Sequence, residues 1–219
     1  TPRLMTRRGL QLNTEFRYLL DSQQNRVAPG LPDKGQIRLE YLPDDQLAKR
    51  DRYGYALQHN QYLGSGFAAS LNLNGVSDDD YFSDLSTRVA QVSQGNLLRQ
   101  GILTYGGPWY SAALNLQTYQ TLQNLAVPYR RLPQLTATAF RYDLPLRLAF
   151  NLNAEYVNFD HPTSLLGKRT TLYPQLSMPL ASAAFSLTPK IGVHATTYEL
   201  EGQNRPEAIA AGWGTVPSS

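Results

Sequence analysis

The chain has no cysteine among its 219 residues. That excludes a disulfide framework and any thiolate metal site, and it removes cysteine chemistry as a guide to compartment. Charge is also scarce, at 17% Asp, Glu, Lys and Arg, well under the quarter or so of an average soluble domain. Only three histidines occur, His59, His161 and His194. They are scattered, with no HExxH pair, nucleophile elbow or phosphate-binding glycine loop. No catalytic residue, cofactor or metal site is therefore expected. No apolar run reaches the ~18 residues that a membrane-crossing helix needs, and the mean hydropathy is −0.39. A helical membrane protein is excluded; a membrane β-barrel is not, because its strands alternate and average out as polar.

What the chain does have is Tyr, Leu, Gln, Asn and Thr in quantity, and a formal charge of +3 carried largely by arginine. Arginine forks suit phosphate and carboxylate groups. There is no basic run and no nucleic-acid motif, so nucleic acid is not an expected partner. The first residues, Thr1-Pro2, carry no leader segment. A start inside a strand-like pattern predicts further sequence upstream.

The dominant signal is alternation. Leu10, Leu12, Thr14, Phe16 and Tyr18 alternate with Gln11, Asn13, Glu15 and Arg17. Successive strand side chains point to opposite faces, so this stretch reads as a strand with one apolar and one polar side. The device recurs at Ile37–Tyr41, Tyr53–Leu57, Phe67–Leu73 and Tyr110–Leu116. It recurs again at Leu146–Tyr156, where Leu146, Leu148, Phe150, Leu152, Ala154 and Tyr156 oppose Arg147, Asn151, Asn153 and Glu155. Near the end Phe185, Leu187, Ile191, Val193 and Ala195 oppose Ser186, Thr188, Lys190 and His194. There are about twelve such segments, many near the 9–11 residues of a tilted bilayer-crossing strand. Alternation is weakest at 87–96 and 134–143, and no useful length shows a helical period.

The fold class expected is all-β: an antiparallel transmembrane β-barrel, here as about twelve up-and-down strands of a larger barrel. Residues 1–200 would form part of the barrel domain, and 201–219 a loop or tail. Tight turns are expected at Arg8-Gly9, Gly106-Gly107-Pro108, Leu144-Pro145 and Ala181-Ser182, with longer links between them. Short turns on one side and long loops on the other match the periplasmic and outer sides of such barrels. Strand parity puts "PDDQLAKR" and "SDDDYFSDL" on the side of the short turns. Tyr18, Tyr41, Trp109, Tyr110, Tyr156 and Tyr198 fall near strand ends, where an interfacial girdle lies.

A soluble β-sandwich also alternates, with its apolar faces turned inward. Against it stands a polar face rich in Asn, Gln, Thr and Ser and poor in Lys and Glu, as a hydrated lumen would be. Barrel hydrolases place a Ser or Asp with a His near the rim, and Tyr129-Arg130-Arg131 with Asp160-His161 could mimic such a cluster. Asp78, Asp79, Asp80 and Asp84 could suggest a hard cation, but they lack the spacing and turn glycine of an EF-hand loop and read as an acidic turn.

Several strings go beyond pattern. "TPRLMTRRGLQLNTEFRYL", then "EYLPDD", "VSDDDYFSDL", "PYRRLPQL" and "LTPK" together resemble the lipopolysaccharide-assembly (LptD) family of outer-membrane proteins, in order from Thr1 to about Leu200. The resemblance implies outer-membrane localisation and insertion of lipopolysaccharide into the outer leaflet through a lateral gate. It implies contact with outer-membrane lipid and a plug lipoprotein (LptE-like) in the lumen. It also implies a periplasmic bridge protein (LptA-like), reached through an N-terminal jellyroll outside this chain. The alternative reading is a general porin or substrate-specific channel.

By resemblance Pro2 matches a proline close to the lateral gate; proline cannot donate to a strand ladder, so it would weaken pairing there. The polar face nominates a lumen lining of Glu15, Arg17, Arg38, Glu40, Asn72, Asn115, Gln117, Asn151, Asn153, Glu155, Lys190 and His194. For most of these a hydrated wall is a sufficient role; some would meet the plug or passing saccharide.

Overall fold

A computed structural model describes residues 1–20, 33–85, 95–123, 125–205, 209–210 and 212. Ten strands follow one another in the order of the chain: β1 (Pro2–Met5), β2 (Gly9–Leu20), β3 (Asp33–Asp45), β4 (Arg50–Gly64), β5 (Phe67–Val76), β6 (Asn96–Gly106), β7 (Tyr110–Thr121), β8 (Arg130–Leu144), β9 (Leu148–Asp160) and β10 (Leu166–Ser177). A single short helix, α1 (Tyr81–Leu85), lies between β5 and β6 among the described residues. The pieces after β10 are β11 (Leu180–Ala181), β12 (Ser186–Leu187), β13 (Lys190–Gly192) and β14 (Ala195–Glu201). Each of β1 to β10 is hydrogen-bonded to the next in sequence, and β13 and β14 both pair with β10. This is the antiparallel up-and-down sheet expected of a partial barrel.

Residues cluster into two compact units, Thr1–Ile102 with Gln117–Pro128, and Leu103–Leu116 with Tyr129–Ser219. In the first unit the register aligns Leu12, Thr14 and Phe16 with Tyr41, Leu39 and Ile37, and these with Tyr53, Tyr55 and Leu57. Directly paired residues share a face, so this row is apolar apart from Thr14. Yet Leu12, Phe16, Leu39, Tyr41 and Tyr53 are all exposed, Phe16 by 57%. In the second unit β9 and β10 align Phe150, Leu152 and Ala154 with Leu176, Pro174 and Leu172 on one face, and Asn151, Asn153 and Glu155 with Gln175, Tyr173 and Thr171 on the other. An apolar face open to its surroundings is the reverse of a sandwich, whose apolar faces are buried together.

Four expectations need correction. The turn-length rule fails: β4 and β5 meet in a tight turn at Ser65-Gly66, at the end opposite Arg8-Gly9, while the longer α1 link sits at the Arg8-Gly9 end. By strand order the turn at Gly106-Gly107-Pro108, between β6 and β7, has the parity of Ser65-Gly66 and not that of Arg8-Gly9. Leu146 and Arg147 are not strand residues; they form a one-turn 3-10 connection with left-handed backbone, φ 63° and 61°, and β9 begins at Leu148. Tyr198 is not in an apolar girdle, because it pairs with Arg169 on the face of Glu155.

The weak segment at 134–143 is inside continuous strand β8, bulged between Arg131 and Gln134 and between Arg141 and Leu144. Most of 87–96 lies outside the described residues, as does the link at 21–32 and most of the tail after Arg205. The alternating run from Phe185 to Ala195 is broken into β12, β13 and the start of β14; the turn expected at Ala181-Ser182 falls slightly later, at residues 182–185, because Ala181 still pairs with Ser186.

Candidate functional site

The string "VSDDDYFSDL" does not stay at the rim as an acidic turn. Val76 is aligned with Gly54, and Leu42 with Arg52, on the polar face of the first unit. Over that face α1 folds back. The Asp78 carbonyl and carboxylate accept the N–H groups of Tyr81 and Asp80, which starts the helical turn in the way an N-terminal Asp cap does. Tyr81 and Leu85 then bury themselves among Leu42, Val76, Leu97 and Leu122, with Met5 and Phe82 packed against them. Each such side chain withdrawn from water is worth about 1.5–3 kcal/mol, enough to hold so short a helix that could not persist alone.

Tyr81 fits because β4 has no side chain beneath it: a Cβ on Gly54 would stand 3.1 Å from the ring. Its hydroxyl donates to the Glu40 carboxylate at 2.7 Å, and Gln11 donates to both groups. Burial, reinforced by the adjacent Glu40 charge, pushes the Tyr81 phenol far above its ordinary value, so it stays a proton donor.

Around the helix runs a charge network. Arg52 is fully buried and reaches three carboxylates: Asp78 at 2.7 Å, Asp84 at 2.7 Å and Asp45 at 3.3 Å. Arg8, from the β1–β2 turn, bridges Asp45 at 2.8 Å and Asp84 at 3.1 Å. Arg50 adds a contact to Asp78 at 3.1 Å. Burial pushes the Asp78 carboxyl up, but the Ser77 hydroxyl and the Arg52 and Arg50 guanidinium groups outweigh it and hold it below its usual range. Of the four aspartates that could have suggested a cation, Asp78 and Asp84 thus have arginine as their counter-ion. Among the described residues no group of three or more His, Asp or Glu is arranged around a metal position.

Arg8, Arg52, Asp45, Tyr81 and Gln11 escaped sequence reasoning. The signal was present: "RRG", "PDDQLAKRDR" and "SDDDYFSDL" lie at one end of the strands, and their charges are complementary.

The nominated lumen residues fall on the polar faces. Glu15 takes Arg17 and Gln36, with Arg38 at 3.7 Å. Glu40 belongs to the α1 network. Asn72 and Asn74 are bonded to each other, as are Asn151 and Asn153. Asn115 donates to Gln134, which donates to Glu155, which also receives Arg169 at 2.6 Å. Gln117 bonds Tyr119. Lys190 aligns with Ser177, and His194 stacks edge-on against Tyr173 at 5.3 Å. A cavity of about 240 Å³ remains between α1 and the strand face, lined by Arg38, Ala56, Gln58 and Asn74 among others.

Pro2 is exposed in the four-residue β1, opposite Leu12. The hydrolase-like cluster is otherwise engaged. Asp160 pairs with Arg130 at 2.7 Å. His161 Nδ1 accepts the backbone N–H groups of Thr163 and Ser164, and the Ser164 hydroxyl takes the Tyr129 hydroxyl.

Comparison with known proteins bears directly on this arrangement. A family model described as LptD, LPS transport system D, matches residues 50–218. The LPS-assembly protein LptD of Azoarcus sp. (strain BH72) is 50% identical over 209 residues, covering 92% of this chain and 24% of that protein. The LPS-assembly protein LptD of Aromatoleum aromaticum is 46% identical over 203 residues, covering 91% of this chain and 24% of that protein. The protein of the same name from Cupriavidus necator is 34% identical over 221 residues, or 98% of this chain and 26% of that protein. The chain spans about a quarter of the length of these curated relatives.

Proposed function

The chain belongs to the LPS transport system D family, and on that premise we propose that it is part of an outer-membrane β-barrel delivering lipopolysaccharide to the outer leaflet. The observation that carries this reading is the exposed apolar row of Leu12, Phe16, Leu39, Tyr41 and Tyr53, backed by a polar opposite face. Such a sheet suits hydrocarbon on one side and water on the other. The apolar row faces membrane lipid. Glu15, Arg17, Arg38, Asn72, Asn115, Gln117, Asn151, Asn153, Glu155, Lys190 and His194 face a hydrated interior that admits saccharide and a plug lipoprotein. A bridge protein hands over lipopolysaccharide on the periplasmic side. No bond is made or broken; the work is transfer of an amphiphile between surfaces.

Pro2 belongs to the seam through which the acyl chains leave. Thr1 and Asn13 exchange both backbone hydrogen bonds, which makes Pro2 and Leu12 a non-hydrogen-bonded pair; the side of Pro2 that lacks an N–H therefore faces away from β2 and offers no bond to a neighbouring strand there. In the complete protein, Pro2→Ala is expected to tighten this seam and slow arrival of lipopolysaccharide at the cell surface. Unchanged surface delivery, at normal barrel levels in the membrane, rules out a gating role for Pro2. Loss of the protein without loss of surface lipopolysaccharide rules out the transport reading itself.

A further inference from the structure

We infer that α1 is a clasp that positions β1, and that Arg3 is the positioning residue through which it acts. β1 is four residues long, stands at one end of the strand order and aligns with β2 over four residue pairs. Two side chains of β1 reach beyond β2. Arg3 donates to the Leu85 carbonyl, at the end of α1, at 2.8 Å, and Met5 packs against the cluster around Tyr81 and Leu85. A guanidinium is a natural partner for a carbonyl near the end of a helix.

The clasp is anchored independently of β1. Arg52 ties Asp78 and Asp84 to β4, Tyr81 ties α1 to Glu40 of β3, and the helix rests in the notch above Gly54. Arg3 therefore joins β1 to Leu85, 82 residues further along the chain, in a helix held by β3 and β4. Under the transport reading, on which this consequence rests, the clasp sets where the Pro2 seam begins.

Hydrogen–deuterium exchange on the full-length protein, purified with its partner lipoprotein and without lipopolysaccharide, tests the clasp. In Arg3→Ala, amides of residues 3–12 should exchange about tenfold faster, the size expected for losing one charged hydrogen bond, while residues 37–42 keep their rate. Arg3→Lys, which can still reach the carbonyl, should restore much of the protection. Asp84→Asn, which loosens α1 from its other side, should raise exchange in both α1 and β1. The clasp is overturned if β1 exchange is unchanged in Arg3→Ala, if residues 37–42 loosen equally, or if Asp84→Asn frees α1 and leaves β1 protected. Because no lipopolysaccharide is present, these outcomes are independent of the surface-delivery test of Pro2.

Discussion

Arg52 and Asp45 face each other at 3.3 Å, and neither side chain exposes any surface to solvent. A pair so placed has lost its hydration entirely, and what keeps it ionised is the rest of the network: Asp78 and Asp84 on the guanidinium, Arg8 on the carboxylate. The cost of breaking it is consequently asymmetric. Removing one charge strands the others in a dry site.

Arg52→Ala is expected to destabilise this end of the chain by about 3–5 kcal/mol, the usual penalty for orphaning buried charge. Asp84→Asn should cost clearly less, since Asp84 remains one-third exposed. Unfolding of the full-length protein in denaturant, followed by the mobility difference between folded and unfolded barrel, orders the two variants. Equal effects would contradict the burial argument.

The outer row contains its own close fit. A Cβ on Gly35 would lie 2.2 Å from the Tyr18 ring, and the Tyr18 hydroxyl meets His59 Nδ1 at 2.5 Å. Gly35→Ala should therefore displace Tyr18 and cost about 1–3 kcal/mol. Combined with Tyr18→Ala it should add little further loss. A double-mutant cycle measures this coupling, and strict additivity would show that the ring and the glycine are independent.

Acid should act on the clasp before it acts on the strands. The folded Asp78 carboxyl lies below its ordinary value, so its stabilisation is fully present above about pH 4 and is lost as pH falls through the folded value. The groups facing it are Arg50 and Arg52, with Asp45, Asp84 and Arg8 one contact further. Exchange of α1 amides should rise below pH 4 and stay flat from pH 5 to 8. Asp78→Asn should flatten the acid limb; a limb that persists would assign it to another carboxylate.

Opposite faces should answer differently to charge. Leu39→Arg, on the exposed apolar row, should cost about 2–4 kcal/mol for folding into lipid vesicles if it lies near the bilayer midplane. Gln58→Arg, on the polar face of the neighbouring strand, should be nearly neutral. Equal tolerance of both changes would argue that the apolar row does not meet lipid.

What the sequence determined by itself was periodicity. Alternation at a spacing of two dictates which residues share a face, whatever the neighbours do, and so the strands, the apolar row and the polar set from Glu15 to Glu155 were legible before any coordinates. Tertiary structure decided everything that depends on which distant residues meet. The segment Tyr81–Leu85 is too short for a helical period to register, and it is helical only because Leu42, Val76, Leu97 and Leu122 offer it an apolar seat. Arg52 carries no signal of its own in the sequence, yet folding buries it among three carboxylates, one at the end of β3 and two from the link between β5 and β6. Leu146 continues the alternation in the sequence, yet it lies in the turn that joins β8 to β9, where a period of two no longer sets a face. Local pattern sets the face a side chain points to; only the fold decides what waits for it on that face.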